Sequence, residues 1–287
     1  MQKIVTVAVC GFVLAGAGAM AQTPPEYLDI THVQVRSDKG KDFEDAIKKM
    51  ADVNRRYKGD RWVALSTEYG DFGGYLFTSQ RAKLADVETG MSAFQKALKE
   101  GLGPMGDKLM RDLYASSASG YNEIRHRRWD LSVNAPSNSE EMLKIVGQTR
   151  WIRTLTLRMK PGRNMEYVEA WKGFQPELAK ITPAVPILVS DANTGAPAIF
   201  VGVYYKNWAE MDAGTPGVTK ALQSEAYQHL TKVTQDTVQS SKWEINRIRP
   251  ELSCAPDEVV AADPAFWKPK PAPAAAPKPK TDAPAKQ

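Results

Sequence analysis

Cysteine and histidine are scarce in this chain, with two cysteines and three histidines among 287 residues. Cys10 lies in an N-terminal apolar run, so removal of that run leaves Cys254 alone and rules out an internal disulfide. Cys254, just past the last expected strand, reads as an incidental thiol, with an intermolecular bridge as the alternative. With only His32, His126 and His229 to draw on, metal or haem ligation is thinly supplied, and neither a metal nor a cofactor is expected. Most short signatures are missing too: no P-loop, G-x-S-x-G, H-E-x-x-H or C-x-x-C occurs, which removes nucleoside triphosphate, serine-hydrolase and zinc chemistry of the familiar kinds. One G-x-G-x-x-G string, Gly101 to Gly106, is present, but it lies between helical segments rather than after a strand, so it lacks the context of a dinucleotide site. Once the N-terminal run is removed, no transmembrane segment is expected. Basic charge is also lacking where a polyanion would need it. Of the net +5, Lys3 supplies one, and Lys268, Lys270, Lys278, Lys280 and Lys286 against Asp257, Glu258, Asp263 and Asp282 supply another, so residues 22–254 carry only +3. So small an excess over a segment of that length is no electrostatic footprint for a polyanion, and no nucleic-acid partner is expected.

The two chain ends are distinct in composition. Residues 1–21 carry Lys3, an apolar run from Ile4 to Leu14, and small residues ending Ala19-Met20-Ala21, the layout of a secretory signal cleaved before Gln22. The mature protein is therefore expected to be exported, periplasmic or secreted. From Ala261 the composition collapses to Pro, Ala and Lys, and residues 255–287 are expected to form a disordered tail. It reads first as a solubilising extension, with contact to cell wall or an anionic surface as the sharper alternative.

Between these ends one unit is written twice. From Ile30 to Arg36 the residues alternate, Val33 and Val35 on one face and His32, Gln34 and Arg36 on the other, as in a half-buried strand. A turn at Ser37-Asp38-Lys39-Gly40 follows. Then Phe43, Ala46, Ile47, Met50 and Val53 recur at spacings of three and four, a helical stripe that must bury against the apolar strand face. From Trp151 the plan returns: Leu155 and Leu157, the turn Lys160-Pro161-Gly162, and Met165, Val168 and Trp171. A shift of 122 positions carries Gly40 onto Gly162 and Arg36 onto Arg158, and also Tyr121 onto Trp243, Arg125 onto Arg247 and Arg127 onto Arg249.

Further strands are expected at 62–69 and 74–79, joined by Gly70-Asp71-Phe72-Gly73, then helices, then an extended segment at 121–129. The second half gives strand 151–159, helix 164–180, strands 185–190 and 198–205, helices within 208–239 and strand 242–249, with Pro176 expected to kink or break its helix. The order is β-α-β-β-α-β in each half, the ferredoxin-like arrangement. The fold class is thus α+β, with units at 22–132 and 150–254. A linker at 133–149 holds Ser137-Asn138-Ser139-Glu140 as a capping box before a short helix.

A sheet with helices on one face must cover the other, and a tandem copy supplies the cover. In element order and patterning, residues 27–132 and 150–253 resemble the dimeric α/β-barrel superfamily, with NIPSNAP-like and stress-responsive barrel proteins as the nearest type. The resemblance implies two ferredoxin-like units packed sheet to sheet as an intramolecular pseudo-dimer, and hence a monomer. It implies no single function, since the superfamily spans cofactor-free monooxygenases, haem-handling enzymes and proteins without known catalysis.

Two sets of residues are candidates for chemistry. His32 and His126, on the expected first and last strands of the first half, would be neighbours able to serve as base or metal ligand; the plainer reading makes them ordinary sheet residues. Arg125, Arg127, Arg247 and Arg249, with Tyr121 and Trp243, would line the cleft between sheets and hold an anion over an aromatic. The plainer reading has these arginines at strand ends, paired with acids such as Asp130 and Glu251. The first expectation for function is non-catalytic binding of a small ligand between the sheets. The alternatives are a cofactor-independent monooxygenase-like enzyme and a partner-binding envelope protein acting through its tail.

Overall fold

The computed structural model describes residues 23–268; the expected signal and all but the first residues of the expected tail lie outside them. Strand β1 (Tyr27–Val35) leads into helix α1 (Gly40–Arg56). As the alternation requires, Val33 and Val35 pack outward on Phe43, Ile47, Met50 and Val53 of α1, while His32 and Gln34 face the other way. Phe43 is fully buried, a contribution of about 1.5–3 kcal/mol for a side chain of this kind. Strands β2 (Val63–Tyr69) and β3 (Gly74–Arg81) follow, joined by a turn in which Gly70 and Gly73 take φ of 131° and 78°, values that disfavour other residues. Helices α2 (Ala85–Leu102) and α3 (Pro104–Ser116) and strand β4 (Ser117–Arg127) close the first half.

Helix α4 (Ser139–Gln148) lies in the expected linker. The second half runs β5 (Trp151–Met159), α5 (Asn164–Leu178), β6 (Ile187–Ala192), β7 (Ala198–Tyr205), α6 (Trp208–Leu222), α7 (Glu225–Thr237) and β8 (Val238–Ile248). Two short helices, α8 (Asp257–Ala262) and α9 (Pro264–Trp267), complete the described chain. No helix among the described residues is long and apolar enough to cross a membrane.

The eight strands form one closed barrel in the order β1-β3-β2-β8-β5-β7-β6-β4, with β4 returning to β1. The halves are therefore joined edge to edge. Leu65 pairs with Ile248 across β2 and β8, and Arg127 with Ser190 across β4 and β6. This corrects the expected sheet-on-sheet packing: the bare faces of the two sheets curve around a common lumen.

Ladder registers in the two halves correspond closely. Tyr27 pairs with Arg81 and Trp151 with Tyr205, a shift of 124 on both strands. At the other ladder Val35 stands opposite Ser117 and Met159 opposite Val238, so β4 maps onto β8 by 121. The uniform shift of 122 read from sequence is wrong by an odd number on β8. Tyr121 corresponds in position to Lys242, and Arg125 to Asn246.

Other expectations need correction as well. Residues 255–268 are folded: Val259 and Trp267 are buried against Met142 and Val146 of α4, and the Trp267 indole donates to the Gly147 carbonyl at 2.9 Å. Apolar Val259, Val260, Phe266 and Trp267 interrupt the polar composition there and supply the buried face. The cap of α4 lies one residue later than expected, with the Asn138 side chain accepting from the Glu141 N–H at 2.9 Å and Glu141 reaching back to the Ser137 N–H at 2.7 Å. Pro176 does not end its helix, which continues to Leu178; so close to the C-terminus few hydrogen bonds remain to be lost. Cys254 is fully buried, receiving the Asn54 amide on its sulfur at 3.2 Å, which removes it from intermolecular bridging in the folded protein.

Candidate functional site

Strand alternation decides which side chains reach the lumen. The interior face of β1 carries Leu28, Ile30, His32 and Gln34, and that of β4 carries Tyr121, Arg125 and Arg127. Two connected cavities fill the barrel. The lower one, of about 460 Å³, has mainly aliphatic walls, to which Leu143 and Val146 of α4 and Val259 of α8 contribute. The upper one, of about 440 Å³, is polar, with His32, Tyr121, Arg158, Lys242 and Glu244 on its walls. Both volumes are in the range of small-molecule sites. Leu76, Arg125, Thr154, Phe200 and Asn246 border both cavities and mark the level where they meet.

At that level sits a buried charge cluster. Glu123 hydrogen-bonds Arg125 Nε and lies 3.2 Å from His32 Nε2, while the Arg125 guanidinium stacks 3.5 Å above the Phe200 ring. His32 in turn stacks on Tyr121, ring centroids 4.3 Å apart. Burial works to raise the Glu123 carboxyl, but the His32 hydrogen bond and the Arg125 charge outweigh it and hold the group below its ordinary value. Burial pushes the Arg125 guanidinium down despite Glu123. Burial, with the nearby Glu123 charge, raises the Tyr121 phenol. In the upper cavity Lys242 is held by Asp71 of the β2–β3 turn and by Glu244. Burial opposes its charge, yet these two acids raise it.

The candidate residues divide sharply by face. Tyr121, Arg125, Arg127 and His32 line the lumen. His126 does not join His32. Although β1 and β4 are neighbours, Tyr121 stands opposite His32 and Tyr27 opposite His126, and His126 lies on the outer wall, 3.6 Å from Asp191 and 40% exposed. Trp243 is also outside, with Arg153 stacked over it at 4.2 Å. Arg247 approaches Trp151 on the same wall. Arg249, past the strand end, binds Glu251 at 2.6 Å and Glu44 at 2.8 Å, as the plainer reading has it. The expected four-arginine site is thus reduced to Arg125 and Arg127, because the odd error in shift turned the β8 residues to the wrong face.

Glu123 escaped the sequence reading, although its spacing from Tyr121, Arg125 and Arg127 places it on their face. Phe200, Arg158, Lys242 and Gln80 carried no local signal, since only the barrel's closure brings their strands together. His32 faces the lumen, His126 the outer wall, and His229 lies exposed on α7. No group of three or more His, Cys, Asp or Glu able to hold a metal occurs among the described residues.

No family model matches the sequence, and no curated protein matches it. Among solved structures, an anthrone oxidase-like protein aligns with a TM-score of 0.51 at 12% identity, over 80% of this chain and 94% of its own. A Lactobacillus acidophilus protein provisionally named a monooxygenase aligns at 0.48 and 9%, over 78% and 94%. A mutant chlorite dismutase from Candidatus Nitrospira defluvii aligns at 0.47 and 8%, over 84% and 97%. These neighbours are dimeric α+β barrels, and at such identities the likeness concerns the fold alone: the chain has a mixed α/β structure with an eight-stranded closed barrel of that kind.

Proposed function

We propose that the protein binds a small molecule inside its barrel. The observation that carries this reading is the hollow lumen itself. Two joined cavities of about 460 and 440 Å³ meet at a buried Glu123–Arg125 pair, where an ordinary domain would have packed aliphatic side chains. The corresponding ladder registers of the two halves support reading the chain as two ferredoxin-like units in tandem, of NIPSNAP-like or stress-responsive barrel type. Closure of both seams within one chain supports a monomer. Export, and a tail acting on cell wall or an anionic surface, belong to the same proposal. Native mass spectrometry of the protein purified from its own host tests it. A discrete mass lost on denaturation is the expected result, and a bare chain with no uptake of any small molecule would overturn it.

A second reading, a cofactor-independent oxygenase, is favoured by one feature: His32 Nε2 lies 3.2 Å from the Glu123 carboxylate on a ring lining the upper cavity, and the tautomer that donates from Nε2 has its Nδ1 able to accept a proton. Its test borrows from a structural neighbour's name. If anthrone is oxidised in air by the protein and this stops in His32→Gln, the enzyme reading stands; inertness of the unaltered protein toward anthrone counts against it.

A further inference from the structure

We propose that the lower cavity takes an amphipathic monocarboxylate, its carboxylate paired with Arg127 and its aliphatic body along the cavity wall. This deepens the reading of the barrel as a ligand site and rests on it. Arg127 is 4% exposed and lines the cavity, yet its Nε is buried with no hydrogen-bond partner. Among the described residues its side chain enters no ion pair. The Trp129 ring lies 5.3 Å away and offers a face to the charge without accepting its N–H groups in the guanidinium plane. Nearby acids are already committed. Glu123 is taken by Arg125 and His32, and Asp60 by Arg81 at 2.6 Å. A buried cation left in this condition is costly unless something completes it.

Three features define what completes it. Charged residues around the cavity are Asp60 against Arg61, Arg81, Arg125 and Arg127, so the field favours an anion. Among the described residues of this wall Arg127 is the buried cation that lacks a partner, while half-buried Arg61 reaches only the Cys254 sulfur at 3.6 Å; one buried unpaired cation fits a single negative charge. The remaining wall is aliphatic, with Leu28, Ile30, Leu65, Leu188 and Ile248 prominent, which fits a hydrocarbon body. Gln80, on the neighbouring strand across β1, also lines the cavity with its Oε1 buried and unpartnered. Rotation of its amide presents N–H groups to a second anionic oxygen.

The test is calorimetric titration of the full chain with decanoate, decanol and decylamine. Decanoate is expected to bind about ten-fold or more tighter than decanol, as a charge-assisted hydrogen bond in a buried site requires, and decylamine not to bind. In Arg127→Met the two uncharged or anionic probes should become equal, and the ligand-free protein should melt at a higher temperature because an unpaired buried charge is gone. Arg127→Lys should keep part of the preference. Equal binding of decanoate and decanol to the unaltered protein would overturn the proposal while leaving the barrel a ligand site. A lower melting temperature in Arg127→Met would also overturn it, since that guanidinium would then have been satisfied already. Binding of none of the probes would overturn this proposal, while the broader reading of the barrel would still be decided by native mass spectrometry.

Discussion

Glu123 stands between two partners inside the barrel, Arg125 and His32, and its removal should reveal how tightly the cluster is coupled. Glu123→Gln leaves the buried Arg125 cation without its counter-charge, an expected loss of about 3–5 kcal/mol in urea unfolding. The double variant Glu123→Gln, Arg125→Met should recover most of that loss, because both buried charges go together. The pH dependence follows from the lowered carboxyl. A group depressed in the folded state from an ordinary 4.5 contributes its full stabilisation above that value and loses it as pH falls through the lower, folded-state value. Acid titration of stability should therefore show a decline below about pH 4.5 in the unaltered protein, and a shallower one in Glu123→Gln.

Among the secondary elements, period and propensity made nearly every strand and helix legible before any coordinates. Val33 and Val35 against the α1 stripe are the clearest case, because local alternation and a local helix meet within one turn of chain. What could not be read was relative register. The halves differ by 124 at β5 and by 121 at β8, and a single intermediate shift satisfied the turn glycines while inverting Trp243 and Arg247. Helices α8 and α9 were hidden for a different reason. They are short, they adjoin a Pro/Ala/Lys segment, and their apolar residues make sense only against α4. A Cβ added at Gly147 would meet Ala262 Cβ at 2.5 Å and the Val259 carbonyl at 2.6 Å, so α4 and α8 touch there with no room to spare. Gly147→Ala should push them apart at a cost of about 1–3 kcal/mol. Hydrogen exchange is the measurement: protection should fall across 257–267 and persist in α5.

For the whole molecule, closure removes every sheet edge, and each half depends on the other to achieve it. The first half alone would expose β2 and β4, the strands that β8 and β6 cover, and open edges of this kind invite pairing with other chains. A fragment of residues 23–134 is accordingly expected to self-associate in light scattering, and the full chain to scatter as a single copy. The candidate site was legible only in part: His32 and Arg125 stood out in the sequence, but Phe200 and Asn246, from two further strands, join them only when the ring is complete.

The seams also set a clock. Leu65 must find Ile248 near the other end of the chain, and Arg125 must find Ala192, so much of the conformational search precedes any reward from closure. Chains dominated by such distant pairings fold on the slow side, roughly milliseconds to seconds, and this one has two of them to satisfy before its interior is shut.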